Sequence, residues 1–120
     1  MMIINPLRGE IAAELDGRRY RLCLTLGALA ELEAGFEAGD LQALVKRIAS
    51  GRLSARDLAC IVGAGLRGGG ASITDEEVMT MAVDGGVAGF AEIVARLLTA
   101  TFAAADAVPA EPRDGAADTT

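Results

Sequence analysis

Between residues 9 and 25 apolar and polar positions largely alternate on either side of Asp16-Gly17. Alternation on both sides of an Asp-Gly pair predicts two antiparallel strands joined by a two-residue type I′ turn, because that turn needs positive φ at both central positions. The implied register pairs Leu15 with Arg18, Ala13 with Tyr20 and Ile11 with Leu22, which makes one face mostly apolar. The other face sets Glu14 opposite Arg19 and Glu10 diagonal to Arg21, with Cys23 more exposed on the same polar side. A lone two-stranded hairpin is marginal in water, so its apolar face has to cover something.

From Leu26 the apolar period lengthens to that of a helix. Leu26, Leu29, Ala30, Leu32 and Phe36 follow a Thr25 cap. Asp40 then caps a second helix carrying Leu41, Leu44, Val45 and Ile48, which stops at Ser50-Gly51. A third starts at Ser54, with Asp57 in its first turn, and runs through Leu58, Ile61, Val62 and Leu66 to Gly68-Gly69-Gly70. A fourth opens on a capping box of Thr74 and Glu77 and carries Val78, Met79 and Met81 as far as Asp84-Gly85-Gly86. The last presents Val87, Phe90, Ala91, Val94, Leu97, Leu98, Thr101 and Phe102 and is expected to be the longest and most buried. From Asp106 the pattern dissolves, and residues 106–120 read as a disordered acidic tail. The expectation is one domain over residues 1–105 of the α+β class, mostly α. In it a hairpin (9–25) packs on a bundle of about five short helices (26–105).

Composition narrows the chemistry. The 120 residues suit a single core. Alanine supplies much of the 52% hydrophobic content, so the core must be thin and closely packed by small side chains. A net charge of -6 argues against a phosphate-binding surface, and no nucleic-acid partner is expected. Arg18, Arg19 and Arg21 form the one basic cluster and read as a solvated strand face paired with Glu10 and Glu14, against an anion site as the alternative. Histidine is absent, which removes the commonest general base and neutral metal ligand. The two cysteines, Cys23 and Cys60, have no CxxC spacing and fit a reducing compartment, with Cys60 in an apolar stripe. The first residues lack the pattern of a secretory signal, and no apolar stretch reaches the roughly 18 to 20 residues of a membrane span, so no membrane partner is expected.

Gly63-Ala64-Gly65-Leu66-Arg67-Gly68 has GxGxxG spacing, but a dinucleotide fingerprint opens a helix after a strand, whereas these glycines close one. They read instead as small residues that admit a neighbouring helix. Glu31 and Glu33, two apart on a helix, do not converge. Asp75-Glu76-Glu77 complements the dipole at a helix start. No catalytic residue, cofactor or metal site follows. Met79, Met81, Phe90, Leu97 and Phe102 are left as candidates for an adaptable protein-binding groove, against ordinary core filling.

The order of features is more distinctive than any one of them. Asn5-Pro6-Leu7-Arg8-Gly9-Glu10 precedes the Asp16-Gly17 hairpin, and Tyr20-Arg21-Leu22 leads into Leu24-Thr25-Leu26-Gly27-Ala28-Leu29-Ala30-Glu31-Leu32-Glu33. Leu53-Ser54-Ala55-Arg56-Asp57-Leu58 and Gly63 to Gly70 follow. This arrangement resembles the tail family of gene transfer agents and tailed phages, labelled both phage tail tube protein and tail assembly chaperone. The resemblance covers roughly residues 5 to 100. It implies a non-enzymatic tail assembly chaperone in the cytoplasm of a bacterial host, with the tape-measure protein and the major tail protein as partners. A structural tail subunit retained in the particle is the alternative, and homo-oligomerisation is left open.

Overall fold

The computed structural model of the protein describes residues 3–107. Strands β1 (Glu10–Leu15) and β2 (Arg18–Cys23) form a two-stranded antiparallel sheet in the anticipated register, from Leu15 opposite Arg18 to Ile11 opposite Leu22. Asp16 and Gly17 take φ of 57° and 77°, the pair of left-handed conformations a type I′ turn requires. Leu15 and Leu22 are fully buried on the inner face, with Ile11 and Ala13 beside them.

Among the described residues five helices follow: α1 (Leu26–Gly35), α2 (Leu41–Ala49), α3 (Ala55–Gly68), α4 (Asp75–Met79) and α5 (Gly86–Ala107). The first four start on the expected caps: Thr25, Asp40, Ser54 and Thr74 each accept the backbone N–H three residues on. Asp57 and Glu77 return the bond to their cap residues, closing two capping boxes. The architecture is therefore the anticipated hairpin on a bundle of five helices.

Three local expectations are corrected. The fourth helix stops at Met79, five residues before Asp84-Gly85-Gly86, because the chain turns away to dock on the hairpin. Thr80 Oγ1 donates to the Glu77 carbonyl at 2.7 Å, the Asp16 N–H donates to the Ala82 carbonyl at 2.7 Å, and the Ala82 N–H donates back to Asp16 Oδ1 at 3.4 Å. The polar strand face is also covered at one end. A 3-10 turn, Pro6–Arg8, folds over it and buries Cys23, whose thiol donates to the Arg8 carbonyl. Glu10 is buried there too, accepting the Asn5 N–H at 2.8 Å and facing Arg8 at 4.0 Å. Arg21 bonds to backbone carbonyls, of Gly69 at 3.3 Å and Ile3 at 3.5 Å, and none of Arg18, Arg19 or Arg21 is ion-paired with Glu10 or Glu14.

Finally, α5 is the longest helix, but α3 is the most buried. Eight α3 residues, Leu58, Ala59 and Ile61 to Leu66, are buried, whereas α5 buries Ile93, Val94 and Leu97 and leaves Ala91 exposed. Helix α3 packs on β2, α1, α4 and α5. Each fully buried Leu or Ile at this junction contributes about 2 kcal/mol relative to exposure.

The small residues of α3 make the junction possible. A Cβ at Gly65 would stand 2.7 Å from Leu97 Cδ2, and a Cβ at Gly68 or Gly69 would overlap the carbonyl oxygen of Cys23 or Arg21. Close approach is therefore the role of these glycines, as expected, with the backbone of β2 as the nearest neighbour in addition to α5. Arg96 fastens α5 to β1 by donating to the Ala12 carbonyl at 2.7 Å. Helix α5 continues through Ala107, and the acidic tail anticipated over residues 106–120 otherwise lies outside the described residues.

Candidate partner-binding surface

The early end of α4 creates an apolar cleft. Because α4 stops at Met79, that side chain stands 47% exposed at the helix end instead of packing along another turn. The chain crosses to the hairpin and reverses at Gly85 and Gly86, both at positive φ. Helix α5 thus presents Val87, 67% exposed, in its first turn facing α3 and α4. Ala55, Leu58, Ala59 and Val78 line the rest with Phe90, giving an open cleft of about 150 Å³. An apolar concavity with a flexible methionine at its edge can accept the bulky apolar residues of another helix.

A second apolar groove runs between α1, α2 and the later turns of α5. Leu24, Leu29 and Leu32 form one side, Leu41, Leu44, Val45 and Ile48 of α2 the other, and Leu98, Thr101 and Phe102 the end. Phe102 is 47% exposed and Leu41 is 42% exposed at its edge.

A polar cluster lies on the other side of α1. Arg67 donates to Glu31 Oε1 at 2.8 Å, to Asp75 Oδ1 at 3.0 Å and to the Ile73 carbonyl at 2.9 Å, joining α1, α3 and the start of α4. Burial alone lowers the guanidinium's proton affinity, but the bonds to Glu31 and Asp75 outweigh it and leave the pKa raised. Cys60 lines the same small pocket, with Asp75, Arg67 and Phe36. Burial first, and the Asp75 carboxylate second, push its thiol up to about 11, so it is held protonated and unreactive at neutral pH. Cys23 is likewise raised, by burial and then by Glu10. Among the described residues no group of three or more His, Cys, Asp or Glu side chains is gathered to hold a metal ion. No helix among them is long and apolar enough to cross a membrane.

The five sequence candidates do not share one surface. Met79 and Phe90 meet in the α3–α4–α5 cleft, Phe102 closes the α1–α2–α5 groove, Met81 is packed against the core, and Leu97 is fully buried against α3. Helical spacing identified apolar positions but not the helix each would face. Val87 and Leu58 carried only the same spacing signal, and Arg67, masked by the GxGxxG pattern, carried none beyond a basic residue in the last turn of a helix, where it complements the dipole.

A family model described as phage tail tube protein, GTA-gp10, matches residues 8–104, which takes in the hairpin, α1 to α4 and all but the last three residues of α5. No curated protein and no solved structure matches the chain at a significant level.

Proposed function

The chain belongs to the phage tail tube protein, GTA-gp10, family, and on that premise we propose that it is a tail assembly chaperone. It binds the tape-measure protein in the host cytoplasm and passes it to polymerising major tail protein. The observation that carries this reading is the open cleft of Leu58, Val78, Met79, Val87 and Phe90, whose two most exposed members are apolar. A long apolar helical partner needs such a surface to cover it before a tube encloses it, and a net charge of -6 keeps the resulting complex dispersed. The work is non-covalent and needs no catalytic step.

Met79→Glu and Val87→Glu place a charge at the contact without touching the core. Each is expected to weaken co-purification with the tape-measure protein at least about tenfold, because a desolvated unpaired carboxylate costs well over the 1.4 kcal/mol that tenfold represents. Unchanged capture by both variants would sink the reading.

The family description itself favours a second reading, a structural subunit kept in the tail tube. Against it, the described residues contain one two-stranded sheet, whereas tubes built from β-proteins use extended sheets to close a ring. Mass spectrometry of purified particles separates the two, since stoichiometric presence in mature tails supports the subunit and absence supports the chaperone.

A further inference from the structure

Helix α2 is lightly attached to the rest of the fold. Its nine residues place Leu41, Leu44, Val45 and Ile48 on one face, yet of these Leu44 alone is fully buried and Ile48 is half-buried. Leu41 and Val45 keep 42% and 36% of their surface exposed. The chain enters α2 past Gly39, after Glu37 at φ 54°, and leaves it through Gly51 at φ 74°. Non-helical segments therefore bound it on both sides.

The polar attachment of α2 to its surroundings converges on one side chain. Arg47 donates to the Arg52 carbonyl at 2.6 Å and to Asp57 Oδ2 at 3.1 Å, and its guanidinium lies 5.5 Å from the centre of the Phe36 ring. Asp57 is already the capping-box residue of α3, so Arg47 fastens α2 to a point that stays in place when α2 moves. Opposite α2, across the groove, stand Leu24, Leu29, Leu32, Leu98 and Phe102.

We propose that α2 is a displaceable strap, a helix that forms one wall of the apolar groove beside α1 and α5 and melts away as a unit, with Arg47 as its latch. In the closed state the apolar face of α2 covers Leu24, Leu29, Leu32, Leu98 and Phe102 from that side. The physical case is a difference in local stability. A nine-residue helix does not persist in water on its own, so α2 exists only while docked. Its docking rests on buried Leu44, half-buried Ile48 and one arginine, whereas α3 packs on β2, α1, α4 and α5 and opens only with the whole domain. Opening exposes the groove residues together with the apolar face of α2, so the protein carries an apolar surface that is hidden most of the time. This is a property of the isolated chain and stands or falls apart from the tail-assembly reading.

Native-state hydrogen exchange on the full chain tests it. In the wild type, the amides of Leu44 to Ser50 are expected to exchange at least about 100-fold faster than those of Ile61 to Leu66, after correction for intrinsic rates, with a denaturant slope that is shared along α2, above zero and well below that of global unfolding. Arg47→Ala is expected to accelerate the α2 amides a further fivefold to tenfold, roughly the effect of one charge-assisted latch at a part-exposed site, and leave α3 unchanged. Arg47→Lys should recover less than half of that protection, since an ammonium cannot bond both acceptors as a fork. Equal protection of α2 and α3 in the wild type overturns the proposal. So does an Arg47→Ala variant in which all helices accelerate together. Should that variant fail to fold, the denaturant dependence of wild-type α2 exchange decides alone, a slope matching global unfolding being the refuting result.

Discussion

Replacing Gly68 by alanine tests the central packing claim, that α3 lies against the backbone of β2. A Cβ at this position overlaps the Cys23 carbonyl oxygen and stands 3.4 Å from Thr25 Oγ1. Helix propensity alone favours alanine by up to about 1 kcal/mol. A backbone oxygen cannot rotate aside as a side chain does, so α3 must slide from β2 by roughly 1.5 Å to restore ordinary contact distances of about 3.5 Å. Overpacking of this kind costs about 1–3 kcal/mol, and the slide also loosens Leu22 and Leu66, both fully buried. The net expectation is a loss of about 2 kcal/mol, or about 10 °C in Tm for a domain of this size. Two companions set the scale. At Gly65 the Cβ meets the Cδ2 atoms of Leu97 at 2.7 Å and Leu22 at 3.3 Å, which can partly yield, so Gly65→Ala should lose about 1 kcal/mol. Gly27→Ala, with Thr25 Oγ1 at 3.8 Å as its only neighbour, should gain about 0.5 kcal/mol. Urea unfolding followed by circular dichroism, with m-values compared across the series, reads all three. A Gly68→Ala protein as stable as the wild type, or less affected than Gly65→Ala, refutes the reasoning.

Arg67→Met keeps the stem of the side chain and removes its bonds to Glu31, Asp75 and the Ile73 carbonyl. Urea unfolding is expected to show a loss of about 1–2 kcal/mol, with Arg67→Lys recovering less than half, and no loss would mean the cluster is incidental. Cys60, raised to about 11 from 9.0, should react with iodoacetamide at pH 8 about 100-fold more slowly than an unperturbed thiol, rising tenfold per pH unit, as followed by peptide mapping. Because the folded state holds this proton more tightly than the unfolded chain, the associated stability is complete below pH 9 and is lost as pH rises from 9 through 11. A reactivity midpoint near 9 contradicts that assignment.

The hairpin, its register and the four helix caps are legible in the sequence because each is decided within a few residues. Asp16-Gly17 supplies two positive φ angles where the turn needs them, and Thr25, Asp40, Ser54 and Thr74 offer a side-chain oxygen to an N–H three residues on. The candidate surface was legible only as a set of apolar positions. Met79 and Phe90 come together, but Leu97 and Phe102, with the same helical spacing, go to the core and to a different groove. Spacing says which residues share a helix face, while the neighbour that face meets depends on contacts between distant segments. The bond between Asp16 and Ala82 shortens α4 and opens the cleft, the 3-10 turn buries Glu10 and Cys23, and α3 rather than α5 becomes the centre because its glycines admit a strand backbone. Local chemistry therefore determined the elements, and tertiary packing alone decided which of their faces were left for a partner.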